Sequence, residues 1–449
     1  MPTPRVPTPL KWLLCAVALV GVAWVLVLPP WQAPDEDAHF AYVQTIAELG
    51  RRPADDGRPA QEAEKSSEQD EAERMSGFLR SFQRLDSNPE WMARVEQAWR
   101  DAPERSREDG GGANAARTNP PGYYLYAASA YLAASGGDVI DRLYATRLFS
   151  VALLLLFVVS VWLLTGEVMG RDRRAQLLAA ATAGLVPMVT FVGSAVTPDA
   201  LLLPIWGLWF WMAARVLRRL QWREAILLVV LTVAAVAVKL GSVALVPGLV
   251  WVGAAFLWQR AGRPPLPPRA VAFGSAAALL LGALTAVAVA TGRPHQLGGY
   301  LWQFYSPTDT GGFPQLPEWP LRDVWLESTT AAFAWLEVRF PWPVYALIAL
   351  LFAALLLSAL PRVRPTALAV AFVLPSLALV AGLHLIELDM LLERTSGFTQ
   401  GRYLLPLLPL LALAVAAVVR RAALAGAVLG GLAAWQLASL AIVMARFHA

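Results

Sequence analysis

The chain has 449 residues, of which 57% are hydrophobic and only 16% are charged. Together with a mean hydropathy of +0.49, this composition excludes an ordinary soluble globular protein and indicates a polytopic membrane protein. The formal net charge of +4 would suggest a nucleic-acid partner in a soluble chain, but in a membrane protein surplus arginine marks cytoplasmic loops, so we expect no nucleic acid. The single cysteine, Cys15, excludes a disulfide framework or cysteine-based metal site within one chain.

The first predicted element is a membrane helix over residues 12–28. Basic residues precede it and no small-x-small cleavage site follows it, so we interpret it as an uncleaved anchor. Directly after it, a helix beginning at Pro34 would place Asp35 and His39 on one face, with Glu36 one step around the same turn. Carboxylates cost too much free energy at membrane depth to lie there without a function. We therefore predict an active site at this membrane surface.

Ten further apolar runs complete a predicted set of eleven membrane spans, because crossing a hydrocarbon core of about 30 Å takes about 20 helical residues. The apolar stretch 123–135 would rise only about 20 Å and is predicted to be a juxtamembrane or re-entrant helix. The eleven predicted spans are residues 12–28, 143–165, 175–195, 199–217, 224–239, 243–259, 271–290, 343–360, 366–386, 403–419 and 424–445.

The placement of arginine and lysine predicts the orientation of these spans. If residues 123–135 do not cross, six basic clusters fall on the side of the N-terminus, whereas a span there would place every later cluster outside, against the positive-inside rule. The N-terminus is therefore predicted to be cytoplasmic and the C-terminus extracytoplasmic, in the plasma membrane. The clusters are Arg5 with Lys11; Arg171, Arg173 and Arg174; Arg215, Arg218, Arg219 and Arg223; Arg260, Arg263 and Arg269; Arg362 and Arg364; Arg420 and Arg421.

Two long external loops are predicted on a single membrane domain that covers residues 1–449. The first loop, residues 29–142, contains a strongly polar insertion at 51–117 that resembles a partly flexible surface segment. The second loop, residues 291–342, is dense in aromatic residues and proline and contains an amphipathic stretch at 321–340. We expect an all-α membrane domain whose two loops carry juxtamembrane helices.

Several polar motifs at span ends share the external side in this topology, although scattered charges have no reason to share a side. They are Pro34-Asp35-Glu36 with His39-Phe40; Asn119-Pro120-Pro121 followed by Tyr123 and Tyr124; Thr197-Pro198-Asp199-Ala200; Lys239-Leu240-Gly241; and Gly401-Arg402-Tyr403 ahead of Pro406 and Pro409.

The motifs around Asp35, Asn119, Asp199 and Arg402 resemble those of the GT-C superfamily of polytopic glycosyltransferases, and most closely a bacterial branch of predicted membrane proteins of unknown function. The resemblance covers nearly the whole chain. It implies a GT-C-like fold and transfer of a sugar from a polyprenyl-phosphate carrier to a glycan, lipid or protein acceptor outside the membrane, in cell-envelope synthesis. Asp35 matches the acid of the first external loop that acts as the base.

The residue types agree with the chemistry that the resemblance implies. Deprotonating an acceptor hydroxyl needs a positioned carboxylate, and a departing phosphate needs cationic stabilisation. Arg402 and Lys239 are the first candidates for these cations, and Arg142 and Arg147 are lesser ones. The candidate catalytic residues are Asp35 and Glu36, and the candidate substrate-binding residues are His39, Asn119, Tyr123, Tyr124, Asp199, Lys239, Arg402 and Tyr403.

A divalent metal is a further expectation, because some GT-C enzymes use one and others work without it. Asp35, Glu36 and Asp199 would form an oxygen-rich site suited to Mg²⁺ or Mn²⁺. The better-known transferases of the superfamily also carry additional spans or a soluble domain, neither of which is evident here. The resemblance therefore leaves the acceptor open.

Each motif also has a purely structural interpretation. Asp35 could cap a helix, with Glu36 at the positive helix end. His39 could be a hydrogen-bonded packing residue, and Asp199 could simply start a helix. Lys239 could be a snorkelling side chain at the interface.

Two other functions would use the same charged residues. A transporter or flippase for a lipid-linked or anionic solute would favour inverted repeats and broken helices near the middle of the bilayer. A non-catalytic scaffold for envelope assembly would have no essential carboxylate. The clustering of charges at one face favours interfacial chemistry over transport.

Overall fold

The structure, a computed structural model, describes residues 6–54, 64–76, 105–264, 323–362, 366–393 and 400–448. Helices dominate these ranges, as the composition predicts. In chain order they are α1 (Thr8–Val27), α2 (Glu36–Leu49), α3 (Ser67–Ser76), α4 (Gly122–Ala133), α5 (Val139–Val168), α6 (Arg173–Leu185), α7 (Pro187–Val192), α8 (Asp199–Arg219), α9 (Trp222–Val238), α10 (Val246–Arg260), α11 (Trp342–Ala359), α12 (Ala367–Glu393), α13 (Leu408–Val418) and α14 (Ala422–Phe447). Short 3-10 segments, Leu240–Leu245 and Gly401–Leu407, precede α10 and α13.

Eight helical segments in the described ranges are long and apolar enough to cross a membrane. They correspond to eight of the eleven predicted spans and confirm an all-α polytopic membrane protein. The predicted span at 224–239 is α9, which is 17 residues long. The predicted span at 271–290 lies outside the described residues, so the number eleven stays a prediction.

The predicted span at 175–195 is interrupted and is not one continuous helix. Val186 is extended, with φ −65° and ψ 125°, because it precedes Pro187 and proline disfavours the helical conformation of the residue before it. Helix α7 then ends at Gly193, and a buried non-helical segment leads into α8. Irregular backbone at this depth is tolerated where protein surrounds it. The non-helical segment after α7 places the backbone amides of Val196 and Thr197 at the end of the bundle, where they donate to Glu36 and Tyr123.

The first loop folds back onto the helices. The predicted short helix at 123–135 is α4, which has 12 residues and is too short to span. Two parts of the polar insertion, 55–63 and 77–104, lie outside the described residues. Its described part is packed, since the Lys65 Nζ lies 2.8 Å from Asp37 on α2 and 2.6 Å from Glu73 on α3.

The amphipathic stretch predicted at 321–340 is described from Asp323 onward, where it forms several short elements. Residues 291–322 lie outside the described ranges. The remainder inserts its aromatic side chains between helices: Phe333 lies 4.9 Å from Trp24 between ring centroids, and the Trp335 indole donates to the Trp31 carbonyl at 3.2 Å. The described part of this loop is therefore packed into the core. Its elements are a π-helical turn (Asp323–Glu327), one α-helical turn (Ser328–Thr330) and the antiparallel strands β1 (Ala332–Phe333) and β2 (Val338–Arg339), with Ala332 opposite Arg339.

The long helix α5 runs through the centre of the bundle and packs against α1, α4, α6 and α8. Its contact with α8 is close because Gly207 lies against Ser160: a Cβ on this glycine would fall 2.0 Å from the serine hydroxyl. Small residues allow helix backbones to approach in this way inside a membrane. Helix α5 therefore connects the two ends of the bundle as one rigid axis.

The two ends of the bundle differ in charge. At one end, Arg219 lies 3.7 Å from Glu167 at the end of α5, Arg174 donates to the Arg420 carbonyl at 3.4 Å, and Arg260 donates to the Leu220 carbonyl at 2.8 Å. These residues belong to four of the predicted basic clusters, which therefore share one end. The polar motifs lie at the other end.

Candidate functional site

Asp35 lies in the short connection between α1 and α2, in an unusual conformation. Its φ is 61° and its ψ is 12°, in the left-handed region, which aspartate tolerates better than most residues. It occupies the N-cap position of α2, but its side chain makes no capping hydrogen bond. Instead, its Oδ2 accepts from Arg402 Nη2 at 2.5 Å. The capping interpretation therefore does not describe this carboxylate.

Arg402 is held beneath Asp35. The 3-10 segment that carries it is anchored by the Gly401 amide, which donates to the Ser328 hydroxyl at 2.8 Å. The guanidinium Nη1 donates to the Pro34 carbonyl at 3.0 Å. The arginine side chain is only 3% exposed, whereas that of Asp35 is 43% exposed. The cation is therefore buried, and the carboxylate that covers it is open.

A second acid and a second cation extend this pair. The Lys239 Nζ, at the end of α9, lies 2.6 Å from Oδ1 of Asp199, at the start of α8. The other oxygen of Asp199 lies 3.7 Å from Arg402 Nε. Both cations also face one aromatic ring, since the Lys239 Nζ is 4.2 Å and the Arg402 Cζ is 5.5 Å from the Tyr403 centroid. Four alternating charges thus form one cluster, and Lys239 points into it.

His39 lies beside this cluster as a neutral ring. Burial lowers the pKa of His39 to about 4, and this effect outweighs the nearby Asp35 carboxylate, which raises it. Its Nδ1 is 2.9 Å from the Tyr124 hydroxyl, which accepts from Asn119 Nδ2 at 3.1 Å. Because that hydroxyl accepts from the amide, its own proton is available to Nδ1, and we therefore assign the ring proton to Nε2.

Tyr124 is fixed by stacking as well as by hydrogen bonding. Its ring lies 3.7 Å from the Tyr42 ring with an interplanar angle of 13°. Burial raises the pKa of Tyr124, so the phenol remains protonated. The three predicted residues His39, Asn119 and Tyr124 thus form one hydrogen-bonded group against the charged cluster.

Glu36 has a different environment from its neighbour Asp35. It is fully buried and accepts two hydrogen bonds from Arg147, from Nη2 at 2.5 Å and from Nε at 2.8 Å. The Val196 amide donates to the same carboxylate at 3.0 Å. Arg147 in turn donates to the Leu28 carbonyl at 2.6 Å. This pair ties α1, α2, α5 and the segment before α8 together.

Tyr123 supports the same segment. Its hydroxyl accepts from the Thr197 amide at 3.0 Å and lies 3.4 Å from the Ser150 hydroxyl. The donors of Arg147 are directed at Glu36 and backbone carbonyls, and Arg142 pairs with Glu68 at 2.5 Å, so neither lesser phosphate candidate faces the charged cluster. The sequence pattern carried no signal for these partners, because they lie 111 and 74 residues away.

Each of the three predicted metal ligands is paired with a cation of the protein. Asp35 is bound by Arg402, Asp199 by Lys239 and Glu36 by Arg147. Within the described residues, no group of three acidic, histidine or cysteine side chains is arranged to hold a metal. A cation at each carboxylate takes the position that Mg²⁺ or Mn²⁺ would need.

Solved structures similar to this chain include two of ArnT from Cupriavidus metallidurans. The alignment with the apo crystal structure has 17% sequence identity and a TM-score of 0.39, and it covers 97% of this chain and 63% of ArnT. The alignment with the crystal structure of ArnT bound to undecaprenyl phosphate has 17% sequence identity and a TM-score of 0.43, and it covers 98% of this chain and 64% of ArnT. This chain therefore spans less than two thirds of the length of ArnT.

The sequence matches no protein among those with curated functions. The profile of a family described as predicted membrane protein (DUF2142) matches residues 18–411, which is most of the chain. The protein belongs to the DUF2142 family of membrane proteins.

Proposed function

We propose that the protein is a glycosyltransferase that moves a sugar from a polyprenyl-phosphate-linked donor to an acceptor at the membrane surface. One observation carries this proposal: an open carboxylate, Asp35, lies over the buried Arg402 at one end of an apolar helix bundle, and Asp199 links this pair to a second cation, Lys239. A carboxylate beside cations is the combination that deprotonation and phosphate departure need. An apolar bundle suits a donor with a lipid tail.

In the proposed reaction, the acceptor hydroxyl gives its proton to the Asp35 carboxylate. The acceptor oxygen forms a bond to the anomeric carbon of the sugar, and the bond between that carbon and the phosphate oxygen breaks. The electron pair of the broken bond stays on the phosphate, whose charge Arg402 and Lys239 stabilise. No metal takes part in this proposal, since the acids are already paired with cations.

The remaining residues have positioning roles in this proposal. Asp199 holds Lys239 and lies beside Arg402, so it orients both cations. The Nε2 proton of His39 is available to a hydroxyl of the sugar or acceptor, with Asn119 and Tyr124 fixing the ring. The buried pair of Glu36 with Arg147, together with Tyr123, shapes the backbone around the site, and Tyr403 lies under the cations.

We place this site on the extracytoplasmic face, with the arginine-rich end and the N-terminus in the cytoplasm of a bacterial cell. The support is the charge difference between the two ends, read by the positive-inside rule. A reporter active only in the cytoplasm, fused after Phe447, should be silent. An active reporter would invert the proposed orientation of the site.

A transporter or flippase is less consistent with the position of the charges. Transport sites lie near the middle of the bilayer between broken helices. The interrupted helix among the described spans, α6 with α7, carries no charged residue from Ala175 to Pro198, and the buried polar pair near its break, Thr190 with Gln436 at 3.2 Å, is uncharged. A scaffold role predicts that no carboxylate is essential, so substitution of Asp35 distinguishes a scaffold from an enzyme.

The test substitutes Asp35→Asn and measures release of undecaprenyl phosphate from a panel of undecaprenyl-phosphate-linked sugars in proteoliposomes, with envelope extract as acceptor. We expect release to fall by about 10²- to 10⁴-fold, the usual contribution of a general base, with only a small loss of thermal stability. Asp37→Asn is the matched control, since it removes the same charge two residues away but pairs with Lys65. Full activity of the Asp35→Asn variant would overturn the proposal.

A further inference from the structure

The ion pair between Asp35 and Arg402 has an unusual asymmetry. Arg402 is the buried member, and two of its nitrogens are engaged by the Pro34 carbonyl and by Asp35. Its third nitrogen, Nε, is buried and makes no hydrogen bond to any residue in the described ranges. Asp35 therefore covers the face through which an anion would reach the guanidinium.

The carboxylate of Asp35 is held by this contact alone among the described residues. It does not cap α2, and its sole hydrogen-bond partner there is Arg402. With 43% of its side chain exposed, it can turn away without opening a cavity. The left-handed backbone of Asp35 is a conformation that surrounding contacts must maintain. The acid is thus the replaceable partner, and the arginine is the fixed one.

We propose that Asp35 occupies the anion position of Arg402 only while the site is empty, and that the phosphate of the donor displaces it. A phosphate can accept from two guanidinium nitrogens at once, so it competes with the single contact that Asp35 makes to Nη2. The displaced Asp35 carboxylate is then free to accept the proton of the acceptor hydroxyl. This inference rests on the proposed function and adds an order to it: the donor binds first and thereby releases the base.

The neighbouring pair shows why the exchange occurs at Arg402. Lys239 is 24% exposed and can meet the phosphate while it still contacts Asp199. Asp199 itself is 5% exposed and lies 3.7 Å from Arg402 Nε, so it keeps the guanidinium in place when Asp35 leaves. Release of the base therefore leaves one acid and both cations around the phosphate.

The test is a binding measurement without any sugar transfer. Purified protein in detergent is titrated with undecaprenyl phosphate by calorimetry, and with undecaprenol as the uncharged control. Because the Asp35→Asn variant removes the competing charge, we expect it to bind the phosphate about tenfold more tightly than the parent, the effect of losing one charge-assisted contact. Asp37→Asn should bind like the parent, since its charge faces Lys65.

Two further variants make the result specific to Arg402. Arg402→Gln should weaken binding of the phosphate but not of undecaprenol, and adding Asp35→Asn to it should restore nothing. Asp35→Ser serves as a second neutral replacement, with its thermal unfolding measured alongside. Equal or weaker phosphate binding by both Asp35 variants would overturn the exchange.

The two proposals fail in different ways. If the Asp35→Asn variant binds phosphate no more tightly yet loses sugar transfer, the exchange is wrong and the proposed function stands. If it binds more tightly yet retains transfer, the exchange stands and Asp35 is not the base. Tighter binding with lost transfer supports both.

Discussion

Two acids adjacent in the sequence, Asp35 and Glu36, each pair with an arginine, yet their surroundings are opposite. Glu36 is fully buried, and its oxygens accept from Arg147 and from a backbone amide. The Asp35 side chain is 43% exposed, and its carboxylate has Arg402 as its only hydrogen-bond partner among the described residues. A buried pair whose hydrogen bonds are all made stabilises the scaffold, whereas an open pair with one replaceable contact can do chemistry.

The largest effect on stability should come from Glu36→Gln. The change leaves the buried Arg147 guanidinium without a counter-charge, which typically costs about 3–5 kcal/mol. Asp35→Asn should cost only about 1 kcal/mol, because its amide oxygen still accepts and water reaches it. Chemical unfolding of both variants in detergent measures the difference. Similar losses for the two variants would remove the distinction between scaffold and site.

A smaller effect, on rate rather than stability, is expected from Arg402→Lys. Lysine keeps the charge but loses the planar fork that suits phosphate, so the rate of undecaprenyl phosphate release should fall by about tenfold to a hundredfold. The folded fraction should change little, because Asp199 and the Pro34 carbonyl can still accept from the ammonium. The matched change Arg147→Lys should lower stability instead. An unaltered rate in the Arg402→Lys variant would exclude a bidentate phosphate grip.

The pH dependence of stability tests the environment of His39, which lies beside the open pair. Its pKa is about 4 in the folded protein and 6.5 in the unfolded chain, so the unfolded chain takes up the proton first as pH falls. The stability that the neutral ring contributes is therefore full above pH 6.5 and is lost between pH 6.5 and 4.

Between pH 7.5 and 5.5, this linkage should lower the free energy of unfolding by about 1 kcal/mol. His39→Gln should remove that loss, whereas His448→Gln, at the other end of the chain, should retain it. Unfolding curves at both pH values measure the effect. A loss that persists in the His39→Gln variant would assign the pH dependence to another group.

Much of this architecture could be predicted from the sequence, because membrane helices are long apolar runs and their ends carry the charges. Counting spans and applying the positive-inside rule predicts that four charged residues share one side of the membrane: Asp35, Asp199, Lys239 and Arg402. The structure brings these four side chains together. A cation on the external side, such as Arg402, opposes the charge bias and therefore predicts an anionic partner.

The division of roles between the acids could not be predicted. Asp35 and Glu36 are equally acidic in the sequence, and only burial and a partner 111 residues away separate them. The break at Pro187 lies within an apolar run that satisfies every criterion of a span, since proline is tolerated in membrane helices. The hairpin in the second loop depends on aromatic contacts with α1 that no local pattern indicates.

Substitution of Asp37, the third acid of the motif, should have the smallest effect on stability and on rate. Asp37 pairs with Lys65 at 2.8 Å, but that lysine also lies 2.6 Å from Glu73, so Asp37→Asn leaves the cation with a partner. We expect a loss of about 0.5 kcal/mol in unfolding free energy and an unchanged rate of undecaprenyl phosphate release. Lys65→Met should cost more, because it leaves two carboxylates facing each other without a cation. If Asp37→Asn instead reduced the rate as strongly as Asp35→Asn, the net negative charge of the segment, and not the single open carboxylate over Arg402, would be what the reaction requires.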